Sequence, residues 1–539
     1  MSIFLEKVEK KLKSQQEGRT LGLTLKDLPS PSKLKNCELA AKKIIDWLME
    51  GKRMLLVGDY DADGIMATTI VMSFLREAGF SEGLADYLIP SRLKDGYGVS
   101  PNIVEYAKDN YYDFIVTVDN GIAAVEAIDL ANKYGIPVIV TDHHTAPKVL
   151  PNAEIIVNPR VPGETFPFTM ISGATVAWYL VASMRKYLNL QIDIRKWLDF
   201  VAITIISDVM PLDNINLPLL KYGMELIKKQ KRFIYELIWN EWSTPTINTT
   251  EISFSLVPKI NAIGRIDDAN LGVKLFMSKK REEIKKLYEY ISEINETRKN
   301  MSRRYTEEAE KYLKELALEN NPVIIVRGDF HEGVVGIIAG KLAEKYQKPA
   351  YVFSFNKEKQ VWKGSGRSVG NIYLYDLTNE ASEFIAGFGG HKGAVGLAVK
   401  DSQWDNFVNA IIKAGEKIPE EDFKDESLEP INCSIGDINM ELIELLKKYA
   451  PYGHGNPEPV FLANIDSIEI LREMKGGLHF KGIVREGNNW AYSLFFNVKK
   501  EEFLKTLNKE NLSIIFYPSL KYNPRKREFS YELISTLIG

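Results

Sequence analysis

The sequence predicts a multidomain α/β protein: a parallel-sheet domain, a long connecting helix, a smaller α/β domain and a C-terminal OB-like β-barrel. Three observations carry this. Strand-like apolar runs alternate with helical runs in the N-terminal part, a charge-rich stretch with spaced apolar residues follows, and five strand-like runs with one helical interruption close the chain.

A chain of 539 residues exceeds a single core. The expected divisions are an N-terminal segment at 1–45, the parallel-sheet domain at 46–215, a helical connector at 216–320, the smaller α/β domain at 321–415 and the barrel at 430–539. With 45% hydrophobic and 26% charged residues the composition is that of a soluble globular protein. The net charge of -3 excludes neither nucleic acid nor small molecules as partners, so any basic groove would be local. Cys37 and Cys433 match no metal or redox spacing, which points to a reducing cytoplasm. The charged start MSIFLEKVEKKLKSQQ is no secretion signal, and no apolar run approaches the roughly 20 residues of a membrane span.

The first domain reads in order as strand RMLLV, helix IMATTIVMSFLREAG, strand and turn FIVTVDNG, helix IAAVEAIDLANKYG and strand PVIVTDHH. Such alternation predicts parallel strands with helices on both faces and ligands beyond the carboxyl ends of the strands. KKREEIKKLYEYISEINETRKNMSRRYTEEAEKYLKELALE reads as one long solvated helix or a pair. A glycine-rich α/β region then runs from PVIIVRGDFHEGVVGIIAGKLAEKY through YVFSF and GSGRS to FIAGFGGHKGAVGLAV. After the turn-rich PYGHGNPEP come VFLANIDSIEIL, LHFKGIVR, WAYSLFFNV, LSIIFYP and FSYELISTLI, with helical EEFLKTLNKE between the third and fourth. Phe480, Lys481, Trp490 and Tyr492, with Arg525 and Arg527 of the loop KYNPRKR, suit bases and phosphates, although barrel filling competes for the aromatics.

Acidic residues collect where the first strands end. In LLVGDYDADGI the carboxylates Asp59, Asp61 and Asp63 fall on alternate positions, where extended chain would make them repel unless a cation or donors answer them. An EF-hand loop also begins D-x-D-x-D-G, but its twelfth position, here Ile70, requires Glu, and a strand rather than a helix precedes. Asp119 ends the second strand, and Asp142, His143 and His144 end the third. Two of the chain's six histidines are thus neighbours at an acidic sheet edge, a ligand pattern more than a core pattern. Asp208 in FVAITIISDVMPL follows an apolar run as a fourth contributor or as a cap.

In this order, VGDYDADG, VTVDNG, VTDHH and ISDVMPL resemble the four motifs of the DHH phosphoesterase superfamily, and GFGGHKGAVG resembles the signature of its DHH-associated second domain. IPSRLKDGYG, INAIGR, HEGVVGIIAG and GSGRS are further similar to the RecJ branch, bacterial single-stranded-DNA exonucleases acting from the 5′ end. The resemblance implies two divalent ions, Mn²⁺ or Mg²⁺, which suit carboxylate and imidazole donors. It places Asp61 and Asp119 on one ion and Asp63, Asp119, His143 and Asp208 on the other, with Asp119 bridging, Asp142 orienting ligands and His144 facing the scissile phosphate. Several relatives carry a histidine where this chain has Val57; Asp59 or water would then complete the first ion's shell.

A pair of cations acidifies water and neutralises charge in an in-line displacement at phosphorus. Arg92, Arg265, Ser365, Arg367 and His391 are expected to hold the 5′-terminal phosphate between the two α/β domains. The implied activity is 5′-to-3′ hydrolysis of single-stranded DNA to mononucleotides in repair and recombination, by a cytoplasmic monomer working with a single-strand-binding protein and a helicase. The alternatives are a phosphodiesterase for short oligonucleotides or cyclic dinucleotides, whose enzymes are usually shorter and lack the tail, and a noncatalytic DNA-binding scaffold.

Overall fold

The computed structural model describes residues 2–538 apart from 92–97, 242–247, 358, 424–428, 475–478, 497, 499, 508–511 and 524–527. Arg92, Arg525 and Arg527 lie outside the described residues.

The N-terminal sheet consists of β1 (Met54–Val57), β2 (Ala85–Leu88), β3 (Phe114–Val118), β4 (Val138–Thr141) and β5 (Ile155–Val157). Its strands pair in parallel in the order β2-β1-β3-β4-β5. Alternation along the strands divides the packing. Leu55, Val57, Ile115, Val138 and Val140 face helices Pro101–Asp109 and Val125–Lys133 on one side. Met54, Leu56, Phe114, Val116 and Ile139 share a larger core with helices Cys37–Met49, Ala62–Glu77 and Gly173–Tyr187 on the other. Strands β2 and β5 add to the three expected. Both are edge strands, and Asp86, Tyr87 and Leu88 of β2 are only partly buried, so neither shows the long apolar run of a central strand.

The charged stretch is one helix, Arg281–Glu315, 35 residues long, whose buried residues include Ile284, Tyr288, Ile291, Ala309 and Leu313. It leads to a mixed sheet of β6 (Ile324–Gly328), β7 (Ala350–Asn356), β8 (Val361–Arg367), β9 (Ile385–Gly390) and β10 (Ala394–Lys400), ordered β6-β7-β8-β10-β9. Helix Val335–Tyr346 covers it.

The C-terminal sheet has seven strands where five were expected: β11 (Ile431–Asn432), β12 (Phe461–Ile465), β13 (Ser467–Met474), β14 (His479–Glu486), β15 (Asn489–Phe496), β16 (Leu512–Asn523) and β17 (Glu528–Ile538). The run VFLANIDSIEIL divides at Asp466 into β12 and β13, which sit at separate places in the sheet, and the short β11 pairs with β12. The expected helix, Lys500–Leu507, lies between β15 and β16. Leu5, Val8 and Leu12 of the N-terminal helix Ile3–Gln15 are buried in this same C-terminal core with Leu442, Phe461 and Phe516. Among the described residues, no helix is long and apolar enough to cross a membrane.

Candidate metal centre

Adjacent strands β1, β3 and β4 deliver their acidic ends to one rim. After β1, the Asp61 carboxylate caps helix Ala62–Glu77, accepting from the amides of Asp63 at 3.0 Å and Gly64 at 3.1 Å. The turn is tight: a Cβ on Gly64 would lie 2.4 Å from the Asp59 backbone. The first turn of that helix carries Asp63 into the interior, where its oxygens accept from the amides of Gly173 at 2.6 Å and Ala174 at 2.8 Å. These belong to the N-terminus of helix Gly173–Tyr187, whose partial positive charge favours a carboxylate.

After β3, Asp119 adopts the left-handed region at φ 63°, and Asn120 ties the strand ends together by donating to the carbonyls of Val57 at 3.0 Å and Val118 at 2.9 Å. Asp208 caps the C-terminus of helix Leu198–Ser207, and the next residue, Val209, has φ 52°. A β-branched residue held there costs on the order of 1–3 kcal/mol, so surrounding contacts must enforce it.

His143 completes the cluster. Its Nδ1 lies 2.8 Å from the Ile171 carbonyl, which can only accept, so Nδ1 carries the proton. Burial holds the ring below the ordinary histidine range, which keeps it neutral and leaves a lone pair on Nε2. That lone pair faces Asp119 Oδ1 at 3.0 Å, Asp208 Oδ2 at 3.5 Å and Asp63 Oδ2 at 3.6 Å. Neither His143 Nε2 nor Asp119 Oδ1 has a hydrogen-bond partner, although both are buried. Acceptors aimed at one another repel, and a cation removes the conflict. The ligand atoms of Asp63, His143 and Asp208 lie within 4.8 Å of one another, as do those of Asp59, Asp61 and Asp119 and those of Asp119, His143 and His144. Burial, then the neighbouring carboxylates, pushes Asp59, Asp119 and Asp208 well above the usual carboxylate range. This oxygen-rich set with one imidazole fits Mn²⁺ or Mg²⁺.

Asp142 belongs to none of these three groups. It accepts from the Ile122 amide at 2.9 Å, the His143 amide at 2.7 Å and His144 Nδ1 at 2.7 Å. Burial works against its charge, yet the His144 hydrogen bond and the two imidazoles hold its carboxyl below the usual range. For His144, burial is outweighed by that bond and by the Asp142, Asp59 and Asp61 charges, which push it up to about 9.

Residues 53–205 match the DHH family, N-terminal domain; residues 320–417 match the DHHA1 domain and 431–533 the RecJ OB domain. The single-stranded-DNA-specific exonuclease RecJ of Escherichia coli is 32% identical over 496 residues, covering 86% of this chain and 84% of that protein. The chain belongs to the RecJ family. The RecJ exonuclease of Bacillus subtilis is 30% identical over 475 residues, 87% of this chain but only 59% of that longer protein. Among solved structures, manganese-bound RecJ of Thermus thermophilus shares the fold at a TM-score of 0.75, with 24% identity over 97% of this chain and 73% of that one. A manganese-bound exonuclease RecJ aligns at a TM-score of 0.61 with 27% identity, over 74% of this chain and 98% of that one.

Of the residues expected to hold a terminal phosphate, Arg265, Ser365 and Arg367 lie around the start of helix Val335–Tyr346, and His391 lies within reach of the Arg367 charge. Arg265 Nη1 donates to the Gly333 carbonyl at 3.3 Å. Arg367 Nη1 donates to Ser365 Oγ at 2.8 Å, and both side chains lie against Gly336, where a Cβ would come within 2.9 Å of Arg367 Nη2. Burial, then the Arg367 charge, lowers the His391 ring below its ordinary range. Two residues that sequence reasoning passed over tie this cluster to the metal centre: Asn261 Oδ1 accepts from the Ala62 amide at 2.8 Å, and a Cβ on Gly264 would lie 2.0 Å from the Tyr60 carbonyl. Both stand in INAIGR, but nothing in the spacing reveals their distant partners. Gly173 was passed over likewise; a Cβ there would sit 2.4 Å from Asp119 Oδ1.

The barrel residues require a correction. Phe480 is 2% exposed and stacks on Phe503 at 4.8 Å, so it fills the core and is unavailable to bases. Lys481 is paired with Glu532 at 2.7 Å and lies over the Tyr492 ring. Trp490, 50% exposed, and Tyr492, 38% exposed, remain on the surface with their rings 5.4 Å apart. Strand alternation explains the split, since Phe480 shares its face with the buried Val484.

Proposed function

We infer that this chain is a metal-dependent, single-stranded-DNA-specific exonuclease that hydrolyses phosphodiesters. The observation that carries this is the His143 Nε2 lone pair set among Asp63, Asp119 and Asp208, with no donor to Nε2 itself or to the facing Asp119 Oδ1. Asp61, Asp119 and Asp59 would hold one divalent ion, and Asp63, Asp119, His143 and Asp208 the other, with Asp119 shared. When bound, Mn²⁺ or Mg²⁺ supplies acidified water and neutralises phosphate charge. Asp59 takes the place left by Val57, which is buried in the apolar packing of β1.

The protein's own groups do the rest. Asp142 fixes the His144 ring through Nδ1 and favours its protonated form, leaving Nε2–H to donate to a phosphate oxygen or to the leaving 3′ oxygen. Arg265, Ser365, Arg367 and His391 bind the 5′-terminal phosphate and so set 5′-to-3′ polarity and mononucleotide release; Arg92 is expected to join them. Trp490 and Tyr492 offer stacking surfaces to the trailing strand. Work in the cytoplasm as a monomer, with a single-strand-binding protein and a helicase, completes the proposal.

The test compares wild type with Asp119→Ala on 5′-phosphorylated single-stranded and duplex DNA in Mn²⁺. Mononucleotide release from the single strand alone, abolished in the variant, is the expected result. Equal activity in Asp119→Ala would remove the bridging assignment, and a preference for dinucleotides over long strands would favour the oligonucleotide phosphodiesterase alternative.

A further inference from the structure

The loop carrying Asp208 is gripped from outside the first domain. The Leu212 amide donates to the His454 carbonyl at 3.0 Å, and Arg19 Nη2 donates to the Leu212 carbonyl. The Asn214 amide donates to the Thr20 carbonyl at 2.9 Å. His454 belongs to PYGHGNPEP, a motif that neither the metal centre nor the phosphate cluster uses.

That turn is stiff. Gly453 and Asn456 exchange backbone hydrogen bonds at 2.9 and 3.0 Å. The Asn456 side chain, 2% exposed, donates to the carbonyls of Tyr449 at 3.0 Å and Pro451 at 2.8 Å. Gly453 allows close approach to the loop, for a Cβ there would stand 2.8 Å from Leu212 Cδ1. Arg19 and Thr20 lie on the segment that leads from helix Ile3–Gln15, packed into the C-terminal core, to Leu23, Leu25 and Leu28, which pack against the first domain's core. On the inner side, Asn216 Nδ2 donates to the carbonyls of Pro211 at 3.1 Å and Met170 at 2.7 Å. Met170 adjoins Ile171, whose carbonyl orients His143.

We propose that the turn at 452–456 and Arg19 form a latch that positions Asp208, making the C-terminal domain part of the metal centre's scaffold. This rests on Asp208 being a metal ligand. The left-handed Val209 gives the latch its purpose: strained backbone next to a ligand persists only where its neighbours hold it. Arg19 and Asn456 touch no ligand atom and are positioning residues. Simple domain packing would leave metal affinity unchanged when either is removed; a latch would not.

The experiment uses the full chain without DNA. Mn²⁺ binding is titrated by the electron paramagnetic resonance of the free ion for wild type, Arg19→Ala, Arg19→Lys, Asn456→Ala and Asp208→Asn, with hydrogen exchange at 209–216 and single-stranded-DNA binding in EDTA measured alongside. Arg19→Ala and Asn456→Ala should each weaken one of the two ions roughly 10-fold, the size expected for groups that orient ligands. Exchange at 209–216 should quicken, DNA binding in EDTA should hold, and Arg19→Lys should restore most of the affinity. Wild-type isotherms and exchange in both alanine variants, with Asp208→Asn impaired, would overturn the latch. Wild-type binding in Asp208→Asn would instead remove the ligand assignment and the latch with it. Should Asn456→Ala fail to fold, Arg19→Ala decides, because Arg19 lies on a half-buried connecting segment outside the hydrophobic cores.

Discussion

His143 Nε2 stands 3.0 Å from Asp119 Oδ1, two buried acceptors face to face, while His143 Nδ1 is committed to the Ile171 carbonyl. Once Asp119 is ionised, these acceptors conflict unless a divalent cation lies between them, so stability should depend on metal and on pH.

The sign follows from the raised carboxyls. Asp59, Asp119 and Asp208 titrate above their unfolded range, so the folded state holds protons that the unfolded state has released. Their contribution is complete below the ordinary carboxylate range and is lost as pH rises through the elevated values. In EDTA, Tm should fall as pH rises above the ordinary carboxylate range, and saturating Mn²⁺ should reverse much of that loss, as measured by calorimetry. A Tm that stays flat above that range in EDTA would contradict the conflict.

Asp142→Asn should move the alkaline limb of kcat/KM to lower pH. The Asp142 carboxylate is the main support for His144's charge, so its removal lets the ring deprotonate nearer the ordinary histidine range. The pH profile of nucleotide release, compared at saturating Mn²⁺, reads this directly.

Gly173→Ala should leave the fold intact and damage the centre. The added methyl meets Asp119 Oδ1 and moves the helix terminus that binds Asp63, costing roughly 10- to 100-fold in activity or metal affinity. Circular dichroism with a Mn²⁺ titration separates the two effects.

Arg367→Ala should erase the preference for a 5′-phosphorylated end. A charged hydrogen bond is worth about 1.5–3 kcal/mol, which corresponds to a rise in KM on the order of 10- to 100-fold for phosphorylated ends. Unphosphorylated ends should change little in steady-state assays.

Two aromatics of the barrel should separate stability from binding. Phe480→Ala empties a core position and should cost about 3–5 kcal/mol of stability. Trp490→Ala should spare Tm and weaken single-stranded DNA by about 1–3 kcal/mol if a base stacks on it. Denaturation and fluorescence anisotropy check the pair.

The parallel sheet and its acidic rim were legible in the sequence because strand alternation is local and crossover rules bring successive strand ends to one edge. Asp59, Asp61, Asp63, Asp119, His143 and His144 could be picked out for that reason, and motif order added Asp208. Edge strands β2 and β5 were too short and too little buried to show a pattern. Which aromatics of the barrel face outward depended on register, which the surrounding strands set.

Only tertiary structure decided that Asn261 and Gly264 join the Arg265 cluster to the first acidic loop, that Gly173 makes room for Asp119, and that Arg19 and His454 both bond Leu212. The physical reason is range. Side-chain chemistry and periodicity are written into a few neighbouring residues, whereas the distant group that a side chain, a glycine or a backbone amide meets is set by how the chain packs.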